Sequence, residues 1–299
     1  MCNNNNCLSP TSLIGHDQDI TCLAFHDGFI FTGGADGRIK VWTQDLALKK
    51  TLDIHDVYIY ALAVNSKGKL YSCSCDGVVK FVENPVESDD AKELLRSEDV
   101  IQSLYCDGEI LYTGDDKGVV TQWEKDKILF KFNLVEEVKS LAAEKNQLYT
   151  ARDLDAVVSE VMSGKSGKYS TKATIPGRAP LILCGPVVNG SKSFLAFTTR
   201  DGKGVTVTSN LPGDSFKVLW SKEDCHDMII NSICGNETTI YTAGYDGIVK
   251  RWIGIDKAAQ AAGEVNMRCC VNAICCGYTP NIVFTGTSDG VVRRLAFED

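Results

Sequence analysis

Residues Ile30 to Trp42 read IFTGGADGRIKVW. Two stretches of alternating apolar and polar residues meet there at Asp36-Gly37, and an Asp-Gly so flanked is the strongest short-range signal for a β-hairpin. The string returns as LYSCSCDGVVKFV from Leu70, LYTGDDKGVVTQW from Leu111, IYTAGYDGIVKRW from Ile240 and VFTGTSDGVVRRL from Val283. Two further copies are altered: LYTARDLDAVVSEV from Leu148 carries one extra residue, and LAFTTRDGKGVTVTS from Leu195 a widened turn. The seven copies start 40, 41, 37, 47, 45 and 43 residues apart.

Each hairpin is preceded by another apolar stretch, such as ITCLAF from Ile20, IYALAV from Ile59, INSICG from Ile230 or VNAICC from Val271. Each is followed by a weaker one, such as ALKKTLDI from Ala47 or ILFKFNL from Ile128. One period therefore predicts four strands, and its length fits the roughly 40 to 45 residues of a propeller blade. Helical repeats fit poorly, because the apolar runs are short, β-branched or aromatic, and separated by Gly, Asn and Asp. One blade cannot bury its faces alone, so neighbours must stack into a closed ring. The expected fold is all-β: a seven-bladed β-propeller of four-stranded antiparallel blades. The last copy ends at Leu295, too near Asp299 for another strand, while Ser9 to Ile14 have no blade of their own. An open ring would leave two strand edges bare, so Ser9 to Ile14 are expected as the outer strand of blade seven. That makes residues 9–299 one propeller and leaves residues 1–8, with MCNNNNC, as a disordered lead.

On these residues the chain resembles the WD-repeat β-propeller family across essentially its whole length. The family pattern is Gly-His before the first strand, Ser or Thr in the second, Asp in the turn and Trp near the end of the third. Repeat one has Gly15-His16, Thr32, Asp36 and Trp42; repeat six has His226, Thr242, Asp246 and Trp252, with Cys225 in place of Gly. Repeat two has His55, Ser72 and Asp76, with Val82 where Trp would stand. Indole donates, hydroxyl does both, neutral imidazole does one of each and carboxylate accepts, so the four can form one satisfied buried chain. Lys117 takes the Asp slot in repeat three, and Met267 and Leu295 take the His and Trp slots in repeat seven. Those blades are expected to hold mainly by apolar packing.

A formal charge of -8 argues against a general nucleic-acid binder, and Lys165 to Lys172 is the one local basic cluster. With no long apolar run and no signal-peptide pattern, neither membrane insertion nor secretion is expected, and the location reads as cytosolic or nuclear. The odd count of 13 cysteines and the large core favour reduced thiols. Cys22, Cys73, Cys106, Cys234 and Cys275 read as small apolar strand residues. Cys73-x-Cys75, Cys269-Cys270 and Cys275-Cys276 lack the two-residue gap of zinc hairpins, and adjacent strand residues face opposite ways, so no metal is expected. Cys225-His226 falls in the blade register. Gly-Lys-Ser within SGKSGKYS, Ser163 to Ser170, lacks the upstream glycine of a phosphate loop, because Ser159 stands there, and it reads as a polar turn in blade four. No cofactor is expected. Glu83 to Asp99 reads as a charged loop and outer strand, with helix-compatible residues at Ala91 to Arg96 and an acidic docking or phosphorylation site at Ser88 as the alternative. Ile255 to Gly263 reads as one helical turn.

The resemblance implies that partners bind on the face made by the loops leading into each first strand and the turns joining the second and third. The residues before the turn Asp are Ala35, Cys75, Asp116, Leu154, Arg200, Tyr245 and Ser288. The lead-in positions include Asp19, Thr21, Tyr58, Tyr60, Val100, Gln102, Ile229, Asn231, Cys270 and Asn272. Tyr and Arg are enriched in interface hot spots. Tyr58, Tyr60, Asp116, Arg200 and Tyr245 are accordingly the candidate partner-binding residues, the alternative being that the tyrosines merely plug the channel. The function read from this is a non-enzymatic scaffold for a protein or peptide partner. A subunit or substrate receptor of a trafficking, RNA-processing or ubiquitin-ligase assembly stays open, although no repeat Trp is followed by the Asp-x-Arg of ligase adaptors. A propeller enzyme is disfavoured because His16, His55 and His226, three of the four histidines, fall in the blade register.

Overall fold

A computed structural model describes residues 11–134, 136–162 and 167–298. The N-terminal lead, Ser9, Pro10 and residues 163–166 of the expected polar turn lie outside the described residues. The short alternating stretches become strands throughout, arranged as seven four-stranded antiparallel sheets with no helix among the described residues. Blade one runs outward through Ile20–His26, Phe29–Gly34, Arg38–Thr43 and Leu48–Asp53. The inner strands of blades two to seven are Ile59–Val64, Ile101–Asp107, Ser140–Glu144, Arg178–Val188, Ile230–Gly235 and Val271–Cys276. Hairpin register recurs, with Ile30 opposite Trp42, Leu70 opposite Val82 and Ile240 opposite Trp252.

The ring is closed by its two ends. Thr11–Ile14 is the outer strand of blade seven, pairing antiparallel with Val291–Ala296 from Thr11 opposite Arg294 to Ile14 opposite Val291. The chain then enters blade one through Gly15 and His16, whose amides both donate to Gly290 O, at 2.8 and 3.0 Å.

Apolar side chains gather between blades. Ile39, Val41 and Leu52 of blade one meet Ile59, Leu62 and Val82 of blade two. Tyr241 and Val249 of blade six meet Val271, Val283 and Leu295 of blade seven, and Ile20, Ile30 and Trp42 meet Phe284 and Val292 where the ring closes. Period-two alternation explains this: each sheet offers one apolar row to each neighbour, so the core is a wheel of inter-blade layers.

Backbone bonds reinforce each junction at the turn following the second strand. Gly37 O accepts from His55 N at 3.1 Å, Gly77 O from Ser97 N at 2.9 Å, Gly118 O from Leu134 N at 2.7 Å and Gly247 O from Met267 N at 2.7 Å. Leu154 O and Lys203 O serve blades four and five, accepting from Gly177 N and His226 N, each at 3.0 Å. The glycine is needed twice over at Gly37. Its φ is +79°, and a Cβ there would stand 2.3 Å from His55 O.

The expected charged loop and outer strand form, the helix-compatible residues Ala91–Arg96 being the outer strand of blade two, because pairing with Val78–Val82 completes that sheet. One local expectation changes. Ile255 to Gly263 forms no helical turn: a tight turn leads into the outer strand Gln260–Asn266, whose pairing with Ile248–Ile253 outweighs the local alanine content. In the altered blade four, neither candidate turn aspartate takes the usual role, since Asp153 accepts Lys139 Nζ at 2.6 Å and Asp155 accepts Arg200 at 3.0 Å.

Deleting residues 1–15 reduces blade seven to three strands and removes the Gly15 bond of the Gly290 junction. The thermal midpoint, followed by circular dichroism, is expected to fall by about 5 °C or more. An unchanged midpoint would show that the ring does not depend on this strand.

Candidate interaction face

The expected polar chain forms in blades one and six. His16 Nδ1–H donates to the Asp36 carboxylate at 3.0 and 3.1 Å, Thr32 Oγ1 donates to His16 Nε2 at 2.7 Å, and Trp42 Nε1–H donates to Thr32 Oγ1 at 3.0 Å. Blade six repeats it through His226, Asp246, Thr242 and Trp252 at 2.8, 2.8 and 3.0 Å. This arrangement assigns the tautomer, since only a proton on Nδ1 leaves every group satisfied. Blade two has a shortened version. His55 Nε2 meets Ser72 Oγ at 2.9 Å, but Asp76 is 3.7 Å from Nδ1, which has no hydrogen-bond partner. Burial lowers the pKa of His16, His55 and His226 despite the raising effect of Asp36, Asp76 and Asp246.

Blades three and seven hold by more than apolar packing, contrary to the sequence expectation. In blade three Trp123 Nε1 donates to Thr113 Oγ1 at 3.2 Å, and Asp115 accepts the amides of Lys117 and Val119 at 3.0 and 2.7 Å. The carboxylate has moved two positions back along the turn and still caps it, as Asp36 does by accepting Arg38 N at 3.0 Å. In blade seven Asp289 accepts Arg293 at 2.7 Å, the Thr287 hydroxyl and Val291 N. Burial would raise the Asp289 carboxyl, but Arg293 and Thr287 outweigh it and hold it well below the usual carboxylate range. Thr285, in the register of Thr32, keeps a buried hydroxyl without a partner, as does Thr150 in blade four.

Above these chains, the turn and lead-in positions are tied together in five blades. Ala35 N donates to Asp19 O, Cys75 N to Tyr58 O, Asp116 N to Val100 O, Tyr245 N to Ile229 O and Ser288 N to Cys270 O, all at 2.9 to 3.0 Å. The side chains at these positions are therefore displayed side by side on one face. Tyr58, Tyr60 and Tyr245 are 40, 37 and 55 % exposed, and the Tyr58 and Tyr60 rings lie 5.2 Å apart. The Tyr58 hydroxyl is pushed up to about 12, first by burial and then by the nearby Cys22, Tyr60, Asp19 and Tyr245 groups. Blade two and blade six thus present their tyrosines on the same face. Tyr60 also lines the axial channel, a cavity of about 300 Å³ shared with Gln102, Lys139 and Asn231.

Other candidates have structural roles. Arg200 Nε donates to Leu154 O at 2.9 Å and its guanidinium pairs with Asp155, clamping blade five to blade four while remaining exposed. Asp116 accepts Val100 N at 3.3 Å and faces Lys117 Nζ at 3.4 Å. Thr21, Asn231 and Asn272 clasp the next blade, donating to Ile59 O at 2.6 Å, Val271 O at 3.1 Å and Ile20 O at 3.0 Å. The half-exposed Val57, Met228 and Ile229 join the tyrosines on this face without having been singled out. The run Met228-Ile229-Ile230 was the available signal, because three apolar residues in a row cannot all turn inward. Among the described residues no group of His, Cys, Asp and Glu is placed to hold a metal ion.

Residues 7–43 and 47–82 match the family described as WD domain, G-beta repeat. The crystal structure of the WD40 beta propeller domain of Doa1 is similar to this chain, with a TM-score of 0.77 at 17% identity, over 97% of this chain and 96% of that one. The computationally designed Ika8 protein is similar with a TM-score of 0.68 at 21% identity, over 96% of this chain and 98% of its own. No curated protein sequence matches.

Two outcomes follow from the polar chains. Thr242→Val strands the buried Trp252 N–H and His226 Nε2 and is expected to cost about 1–3 kcal/mol in urea unfolding, whereas Thr285→Val removes an unpaired hydroxyl and is expected to be neutral or stabilising. Because the folded histidines have lowered pKa values, their contribution is present above the unfolded value of 6.5 and lost as pH falls from there toward the folded values. The melting midpoint should therefore drop between about pH 7.5 and 5.5; a flat profile would refute the neutral-imidazole assignment.

Proposed function

This chain carries WD40 repeats on a seven-bladed propeller, and we propose that it is a non-enzymatic scaffold whose loop face receives a protein or peptide partner. The observation that carries this reading is that Tyr58, Tyr60 and Tyr245 stand with Val57, Met228 and Ile229 on the loop face, each at least 37 % exposed. Aromatic and aliphatic side chains left open to water on one face stabilise nothing within the ring, and they supply large apolar area once a partner covers them. Exposed Asp17, Asp56 and Asp227 on the same loops give this patch a polar rim. Asp116 and Arg200 contribute at that rim, with part of their hydrogen-bonding capacity already engaged.

Engagement of the histidines supports a binding role over proton-transfer chemistry. His16 and His226 have both ring nitrogens bonded, His55 is buried, and His26 ends an inner strand at a turn on the opposite face. A reducing cytosolic or nuclear location belongs to the same proposal, on the ground of the odd count of 13 cysteines and the large core.

Tyr58→Ala combined with Tyr245→Ala is expected to weaken partner capture from native extract at least tenfold, about 1.4 kcal/mol, with an unchanged melting midpoint. Retention of every partner by the double variant would sink the reading.

A further inference from the structure

Two cysteines face each other across the junction of blades six and seven. Cys234 lies on the inner strand Ile230–Gly235, opposite Tyr241, and Cys276 ends the inner strand Val271–Cys276, opposite Val283. Alternation decides which of the adjacent pair Cys275-Cys276 meets Cys234. Cys275 turns to the layer between blades seven and one, beside Ile20, Ile30 and Trp42. Cys276 turns the other way, onto the layer between blades six and seven where Cys234 also packs. The Cys276 thiol donates to Cys234 Sγ at a sulfur–sulfur distance of 3.2 Å, and both residues are partly exposed.

We propose that Cys234 and Cys276 form an oxidation site, at which a hydroperoxide such as hydrogen peroxide closes a reversible disulfide that staples blade six to blade seven. The sulfurs need to approach by only roughly 1 Å to reach the bond length of about 2.05 Å. One thiolate attacks a peroxide oxygen, the O–O bond breaks, hydroxide leaves and a sulfenic acid forms. The second thiolate attacks that sulfur, the S–S bond forms, the S–O bond breaks and a second hydroxide leaves. The two thiol protons convert the hydroxides to water, so two electrons pass from the sulfurs to the peroxide, and two thiols plus one peroxide give one disulfide and two waters. Burial holds the Cys234 thiol well above its ordinary pKa, so a first attack through Cys234 is slow. The second step follows quickly, because the partner sulfur is already in contact. The bond would link positions 42 residues apart and remove that loop's freedom from the unfolded chain.

The test uses the full chain, reduced, desalted, exposed to hydrogen peroxide, alkylated and digested without reductant for mass spectrometry. The expected result is a peptide pair joined through Cys234 and Cys276, lighter by two hydrogens and separated again by a thiol reductant. It should vanish in Cys234→Ser and in Cys276→Ser and persist in Cys275→Ser, with the oxidised wild-type protein melting several degrees above the reduced one. Absence of the linked pair, its loss in Cys275→Ser but not Cys276→Ser, or irreversible oxidation of the two thiols instead would overturn the site. An oxidised protein that melts no higher than the reduced one would overturn the staple.

Discussion

The ring rests on a backbone contact made at every junction: a carbonyl in the turn of one blade accepts an amide from the segment leading into the next. Around the ring these acceptors are Gly37, Gly77, Gly118, Leu154, Lys203, Gly247 and Gly290, and the last of them receives Gly15 and His16 and so closes the circle. At the five glycine acceptors the incoming backbone occupies the space a Cβ would take, whereas Leu154 and Lys203 make the same contact from the altered turns of blades four and five. At Gly77 a Cβ would stand 2.2 Å from Ser97 O, and at Gly290 2.4 Å from His16 O. The Asp-Gly pair therefore does two jobs at once. Aspartate and glycine together shape the hairpin, and the bare glycine lets the neighbouring blade dock.

Given that contact, the polar chain of His, Thr, Trp and Asp acts as a brace rather than a requirement. Blades one and six have it whole, blade two lacks the indole and its His–Asp bond, blade three keeps the Thr–Trp bond with a relocated aspartate, and blade seven substitutes an Arg–Asp–Thr cluster. These blades nevertheless share one register and one kind of apolar layer with their neighbours. What varies is how each turn satisfies its own amides, and a carboxylate can do that from more than one position, as Asp115 shows.

The face proposed for binding is defined by subtraction. Thr21, Asn231 and Asn272 look like free polar positions along the chain, yet each donates across a junction. Arg200, conspicuous before its turn, reaches back to Leu154 O and Asp155. Such roles were illegible because they depend on what the adjacent blade places within reach, and residues 46 positions apart leave no trace of that in local pattern. The exposure of Tyr58 and Tyr245 was legible because a large aromatic in these loops has no blade partner to bury it, and that of Ile229, named only as a lead-in position, was not singled out because its apolar character merged with the strand that follows.

The sequence by itself determined the strands, the hairpin turns, the number of blades, the closing strand and the brace residues of blades one and six. All of these follow from local alternation, from the conformational demands of Asp-Gly and from a repeat of about forty residues, each readable along one dimension. Only the tertiary structure decided which carbonyl meets which amide between blades, which polar side chains become clasps, how blades three and seven satisfy their turns, and that Cys276 rather than Cys275 faces Cys234. Those outcomes depend on the register between sheets that share no strand, and that register is set by how apolar layers interlock across a junction rather than by spacing along the chain.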